Sequence, residues 1–91
     1  MGGLTVQAHD VILYPTMTER SVYMIENENK LIFIVPREAN KKDIAKAIKE
    51  LYEVEVEEIN TLIDRQGKKK AFIKLKEGFS ASELAIKLGI L

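Results

Sequence analysis

Residues 54–76 read VEVEEINTLIDRQGKKKAFIKLK, and this stretch decides the fold. From Lys69 to Lys76 the alternation is clean: Ala71, Ile73 and Leu75 fall on one side, and Lys70, Phe72, Lys74 and Lys76 share the other. A two-residue period of this kind marks a strand with one face against a core. Upstream, Val54 and Val56 alternate with Glu55 and Glu57, but the pattern resumes out of phase at Ile59, Thr61 and Ile63. A slip of one residue turns every later side chain over, so a β-bulge or a late strand start is predicted near Glu57-Glu58. Asp64 to Lys68 is polar, carries Gly67 and has the length of a hairpin loop. The two strands therefore form an antiparallel hairpin on which the rest of the chain must pack.

Working outward, Lys30 to Val35 is a strand bounded by a polar turn at Asn27-Glu28-Asn29 and by Pro36. Leu31, Phe33 and Val35 point one way, Ile32 and Ile34 the other, so this strand is expected to be central and covered on both faces. Val11-Ile12-Leu13, ended by Tyr14-Pro15, reads as an edge strand or extended arm, because proline lacks an amide donor. Thr16 and Glu19 have capping-box spacing and predict a helix to about Glu26, with Met17, Ser21, Met24 and Ile25 inward. Asn40 caps a second helix with Asp43 in its first turn; Ile44, Ala47, Ile48 and Leu51 form its buried stripe. Ser80 and Glu83 form a further capping box, followed by Ala81, Leu84, Ala85 and Leu88 and closed by Gly89. The order predicts an α+β fold, a small, mostly antiparallel β-sheet packed with helices in an α-β plait-like sandwich. Residues 10–91 are expected to be a single domain, preceded by a flexible N-terminal segment at 1–9.

Composition narrows the function. The 91 residues hold 14 Lys+Arg, 14 Asp+Glu, one histidine and no cysteine. Disulfides, thiolate zinc sites and cysteine nucleophiles are excluded. The longest apolar run, Leu31 to Val35, is far short of the ~20 residues that span a bilayer, so no membrane insertion is expected. The start shows no secretory pattern, and a soluble intracellular protein is expected. His9 beside Asp10 is a lone imidazole with no constellation around it, Ser21, Ser80 and Ser82 lack a nucleophile-elbow context, and the glutamates at 53, 55, 57 and 58 have no calcium-loop spacing. No enzyme activity, metal or cofactor is expected.

The zero net charge hides a division. Residues 1–60 hold seven basic and eleven acidic side chains, a balance of −4; residues 61–91 hold seven basic and three acidic, a balance of +4. Local potential follows local arrangement, so neutrality does not exclude a nucleic-acid binder. Same-face side chains on a strand recur about every 6.6–6.8 Å, comparable with successive phosphates, so the lysines of 68–76 could track an RNA backbone, and Phe72 could stack on an unpaired base. Phe72 could equally pack against an RNA-facing partner, and the same pattern also fits an exposed edge strand guarded by lysines against aggregation. An RNA-recognition motif needs more aromatics on this strand than the one present, so contact through phosphates and shape fits better.

Taken together, the motifs resemble the large-subunit ribosomal protein 23 family in its short archaeal-type form. Pro15-Thr16-Met17-Thr18-Glu19-Arg20-Ser21 looks like its Pro-x-x-Thr/Ser-Glu-Lys-(Ser/Ala) signature, with Arg20 in place of the lysine. Ala39 to Ile44 and Glu50 to Val56 resemble its central helix and exit, Ile59-Asn60-Thr61-Leu62 the start of its hairpin, and Lys69 to Leu75 its Lys-Lys-Ala-Tyr/Phe strand. The match spans about residues 10 to 91. The resemblance implies a cytoplasmic, ribosome-bound structural protein that binds large-subunit ribosomal RNA beside the exit-tunnel opening. It further implies a ribosomal protein 29 family neighbour and a docking surface for signal recognition particle or another nascent-chain factor. Glu19 matches the factor-docking glutamate of bacterial relatives. The short loop at 64–68 argues against reaching deep into the tunnel.

The expected phosphate contacts are Lys68, Lys69, Lys70, Lys74 and Lys76, with Arg20, Arg37, Lys41 and Lys42 as a second anchoring group and Phe72 divided between RNA stacking and packing. The rival reading is a small protein-protein interaction module with segregated acidic and basic faces.

Overall fold

The computed structural model describes residues 14–90. The expectations for residues 1–9, including His9, and for the Val11-Ile12-Leu13 run lie outside the described residues. In chain order the elements are β1 (Tyr14–Pro15), α1 (Glu19–Glu28), β2 (Lys30–Val35), α2 (Lys41–Tyr52), β3 (Val56–Ile63), β4 (Lys69–Leu75) and α3 (Ala81–Leu88). The strands form one sheet in the order β1-β2-β4-β3, and each neighbouring pair is antiparallel. Helices packed on a small antiparallel sheet give the α+β class read from the sequence.

β2 is internal, and its apolar residues are buried on both faces, as expected. Leu31, Phe33 and Val35 join Ile44, Ala47 and Ile48 of α2 and Ala81, Leu84 and Ala85 of α3 in the main core. On the reverse face Ile32 packs with Met24 of α1 and Phe72 of β4. The hairpin carries its bulge where the phase error placed it, with the register shift between Val56 and Glu58. Beyond that point Ile59 pairs with Ile73, and every later residue of β3 keeps its side.

Two helix readings need correction. The cap of α1 is Thr18, not Thr16: the Thr18 hydroxyl accepts the Ser21 amide at 3.1 Å, and the Ser21 hydroxyl oxygen accepts the Thr18 amide at 2.7 Å. Thr16 is unavailable because its amide donates to the Ile32 carbonyl at 2.9 Å, continuing the β1–β2 pairing by one residue. Its hydroxyl also donates to that carbonyl at 3.4 Å, which turns the side chain to β2 and away from the helix amides. The later start turns Met17 out to solvent at 58% exposure and leaves Glu19 as a first-turn acid beside the positive helix end. In α2 the buried stripe stops at Ile48, and Leu51 is 40% exposed. Its place is taken by Tyr52, whose ring stacks on Phe33 with centroids 6.2 Å apart.

α3 begins as predicted at Ser80, whose hydroxyl accepts the Glu83 amide at 3.2 Å. Its next amide, from Ala81, is satisfied by the Asn29 side chain across the fold at 2.7 Å. Asn29, read from the sequence as part of a polar turn, is thus a tie between α1, β4 and α3.

Candidate nucleic-acid interface

The register of β4 sorts the basic side chains. Lys70 lies beside Ile34 and Leu62, Phe72 beside Ile32 and Asn60, and Lys74 beside Lys30 and Glu58, all on the sheet face away from the main core. Lys69, one residue out of phase, projects to the other face. Its ammonium donates to the Ala39 carbonyl at 2.6 Å and the Arg37 carbonyl at 3.3 Å. That contact joins the loop before α2 to the hairpin tip. Two basic clusters some thirty residues apart in sequence, Arg37-Lys41-Lys42 and Lys68-Lys69-Lys70, consequently meet at one end of the sheet. Arg37, Lys41, Lys42 and Lys68 are exposed there, and Lys69 and Lys70 are half-buried.

Lys69 therefore has a structural task in the folded chain. A hydrogen bond from a charged donor contributes about 1.5–3 kcal/mol when sheltered, and less where water competes. Lys69→Met is expected to lower stability by about 1–2 kcal/mol in urea unfolding, whereas Lys68→Met changes it by less than about 0.5 kcal/mol. Equal, negligible effects of the two would show that the Lys69 bonds are not stabilising.

The tip itself is built on Asp64. One carboxylate oxygen accepts the Gln66 amide at 2.9 Å and the Lys68 amide at 3.0 Å, and Gly67 takes the left-handed φ of 82° that closes the loop. The Lys68 amide above all, helped by the Gln66 amide and the charges of Lys70 and Lys68, holds the Asp64 carboxyl below the ordinary carboxylate range, against an opposing effect of desolvation. Arg65, in the same loop, and Tyr14, whose hydroxyl accepts from the Lys68 ammonium at 3.3 Å, complete the tip. Arg65 was legible in the basic run; Tyr14 was not, because its contact spans 54 positions.

At the foot of the hairpin the charges mix. Lys74 pairs with Glu57 at 3.7 Å and Lys76 with Glu55 at 3.3 Å, while Lys70 stands 4.0 Å from Asp64. The acidic and basic runs lie on neighbouring strands, so charge divides along the hairpin, tip against foot, rather than into two opposed faces. Exposed pairs of this kind are worth roughly 0–1 kcal/mol each, so a phosphate can compete for these lysines.

Phe72 and Arg20 stand apart from the tip. Phe72 is only 9% exposed, packed against Met24 and Ile32, and the Arg20 guanidinium sits 5.6 Å from its ring centroid. In the folded chain Phe72 therefore packs, with no open ring face for a base, because α1 lays Met24 and Arg20 over it. Arg20 belongs with this cluster and not with Arg37, Lys41 and Lys42. Glu19, next to it, is exposed at the start of α1.

Comparison with known proteins places the chain among relatives. A family model described as "Ribosomal protein L23" matches residues 10–83. Proteins named "Large ribosomal subunit protein uL23" from Methanococcus aeolicus and Methanococcus vannielii are each 49% identical over 85 residues, and that of Methanococcus maripaludis is 51% identical. Each alignment covers 93% of this chain and 99% of the relative.

Proposed function

The chain belongs to the ribosomal protein L23 family, and from that premise we propose that it is a structural constituent of the large ribosomal subunit that binds large-subunit ribosomal RNA near the polypeptide exit tunnel. The observation that carries the RNA contact is the meeting of two basic clusters at one end of the sheet, held by the Lys69 bonds to the Ala39 and Arg37 carbonyls. A concentration of exposed cations on a rigid frame recognises phosphates by position, without reading base sequence. Arg37, Lys41, Lys42, Lys68 and Lys70 form the principal anchor, with Lys74 and Lys76 flanking it along the strand.

The chain works in the cytoplasm as part of the ribosome, without catalysis. Residues 10–91 act as one RNA-binding domain. The exposed start of α1, with Glu19, forms part of a docking site for signal recognition particle or another nascent-chain factor, and a ribosomal protein 29 family member is the neighbour. Sedimentation of the native protein in cell extract tests the reading: it is expected to travel with large subunits through moderate salt. Recovery wholly in the free fraction would overturn it.

A further inference from the structure

Between α1 and the sheet face away from the main core lies an open groove of about 480 Å³, lined by Arg20, Tyr23, Met24, Lys30, Asn60 and Phe72 among others. Its volume falls within the ~300–1,000 Å³ of small-molecule sites. Its chemistry is layered. Met24 and Phe72 are the buried floor. Arg20 lies over the Phe72 ring at 5.6 Å yet is exposed on its own account, so the cation–π contact holds a planar cation toward the opening. Tyr23, 59% exposed, and the exposed Asn60 carboxamide stand at the rim.

We propose that this groove takes one unpaired RNA nucleotide, its base lying on the Arg20 guanidinium held by Phe72 and its polar edge meeting the Asn60 carboxamide. The occupant is inferred from complementarity. A nucleobase offers flat apolar faces and an edge of donors and acceptors, and it stacks on guanidinium planes as well as on aromatic rings. The Asn60 carboxamide has both donor and acceptor to meet such an edge; in the free chain its amide donates to the Glu58 carboxylate at 3.4 Å, a bond that the base edge replaces. Arg20 supplies positive charge for the attached phosphate; Lys30 is already paired at 3.4 Å with Glu28, which also lines the groove. The stack Phe72–Arg20–base gives the buried phenylalanine an indirect part in recognition. The inference rests on the RNA-binding reading and adds to it a site remote from the hairpin tip.

The test measures binding of the purified full chain to protein-free large-subunit ribosomal RNA across a salt series, with Arg20→Lys, Asn60→Ala and the double variant Lys68→Ala/Lys70→Ala. Arg20→Lys keeps the charge but removes the planar platform. Arg20→Lys and Asn60→Ala are each expected to weaken binding about tenfold with the parent salt slope, since stacking and edge contacts release no counterions. Both side chains are exposed, and thermal melting run in parallel separates lost folding from lost contact. If both variants bind like the parent while the Lys68/Lys70 variant weakens, the groove assignment is wrong and the tip anchor stands. If the parent itself does not bind the RNA, the RNA-binding reading falls and the groove with it.

Discussion

Replacing Asn29 with alanine is expected to remove about 3–4 kcal/mol of stability, a large part of the roughly 5–13 kcal/mol available to a chain of this length. The expectation follows from the bonds this side chain makes. Its amide donates to the Phe79 carbonyl at 2.9 Å and the Leu75 carbonyl at 3.3 Å, and its oxygen accepts the Ala81 amide at 2.7 Å. The Asn29 carbonyl also accepts the Leu75 amide at 3.1 Å. One residue thereby closes α1, fixes the end of β4 and supplies a partner for the first turn of α3. Alanine leaves three part-buried groups without it, and Asn29 sits at a φ of 55°, where a Cβ without a polar group costs about 1–2 kcal/mol. Glycine relieves that strain but not the lost bonds, so Asn29→Gly should fall between parent and Asn29→Ala. Aspartate keeps the acceptor but sets an oxygen against two carbonyls, and should be no better than alanine. Urea unfolding of the four proteins gives the ranking. A loss below 1 kcal/mol for Asn29→Ala would show that water replaces these bonds.

How far the sequence reveals this molecule depends on the range of each interaction. The hairpin and its bulge were legible because a two-residue period, and a break in it, are local properties of the chain. The central position of β2 followed from apolar residues on both of its faces. Nothing local distinguishes Thr16 from Thr18 as a cap, since both stand three residues before a side chain able to complete a capping box. The Thr16 bond to Ile32 decides between them, and it spans 16 positions. The stripe ending at Leu51 failed for a related reason: helical spacing does not know that Phe33 waits for the ring of Tyr52. Of the candidate site, the lysines of β4 were visible as a row. Their union with Arg37, Lys41 and Lys42 was not, because it depends on Lys69 reaching carbonyls thirty and more positions away. The split of charge between the two parts of the chain also misled as to shape. The acidic run and the basic strand became hairpin partners, so the foot is mixed and only the tip is a basic end.

The tip leads to the larger functional effect. With Arg37, Lys41, Lys42, Lys68 and Lys70 all changed to alanine, the salt dependence of RNA binding should become shallower by about four to five in log–log slope, since each phosphate contact contributes about 0.9 on duplex RNA-like charge density. At low salt the affinity should fall by several powers of ten. Lys69 is left in place because its ammonium holds Ala39 and Arg37, and removing it would confuse lost contact with a loosened frame. Folding should survive the five changes: four of these side chains are exposed, and Lys70 has only a 4.0 Å approach to Asp64 at a surface site. A control pair removes three charges each, at Arg37, Lys41 and Lys68 of the tip or at Lys46, Lys49 and Lys87 elsewhere. The pair separates an anchor from a mere excess of cations, since both of its variants reach the same net charge. If binding depends on the tip, the Lys46, Lys49 and Lys87 variant keeps most of the parent slope. Equal flattening by the two would mean that total charge governs binding, and the convergence of Arg37, Lys41 and Lys42 with the hairpin tip would have no role in positioning RNA.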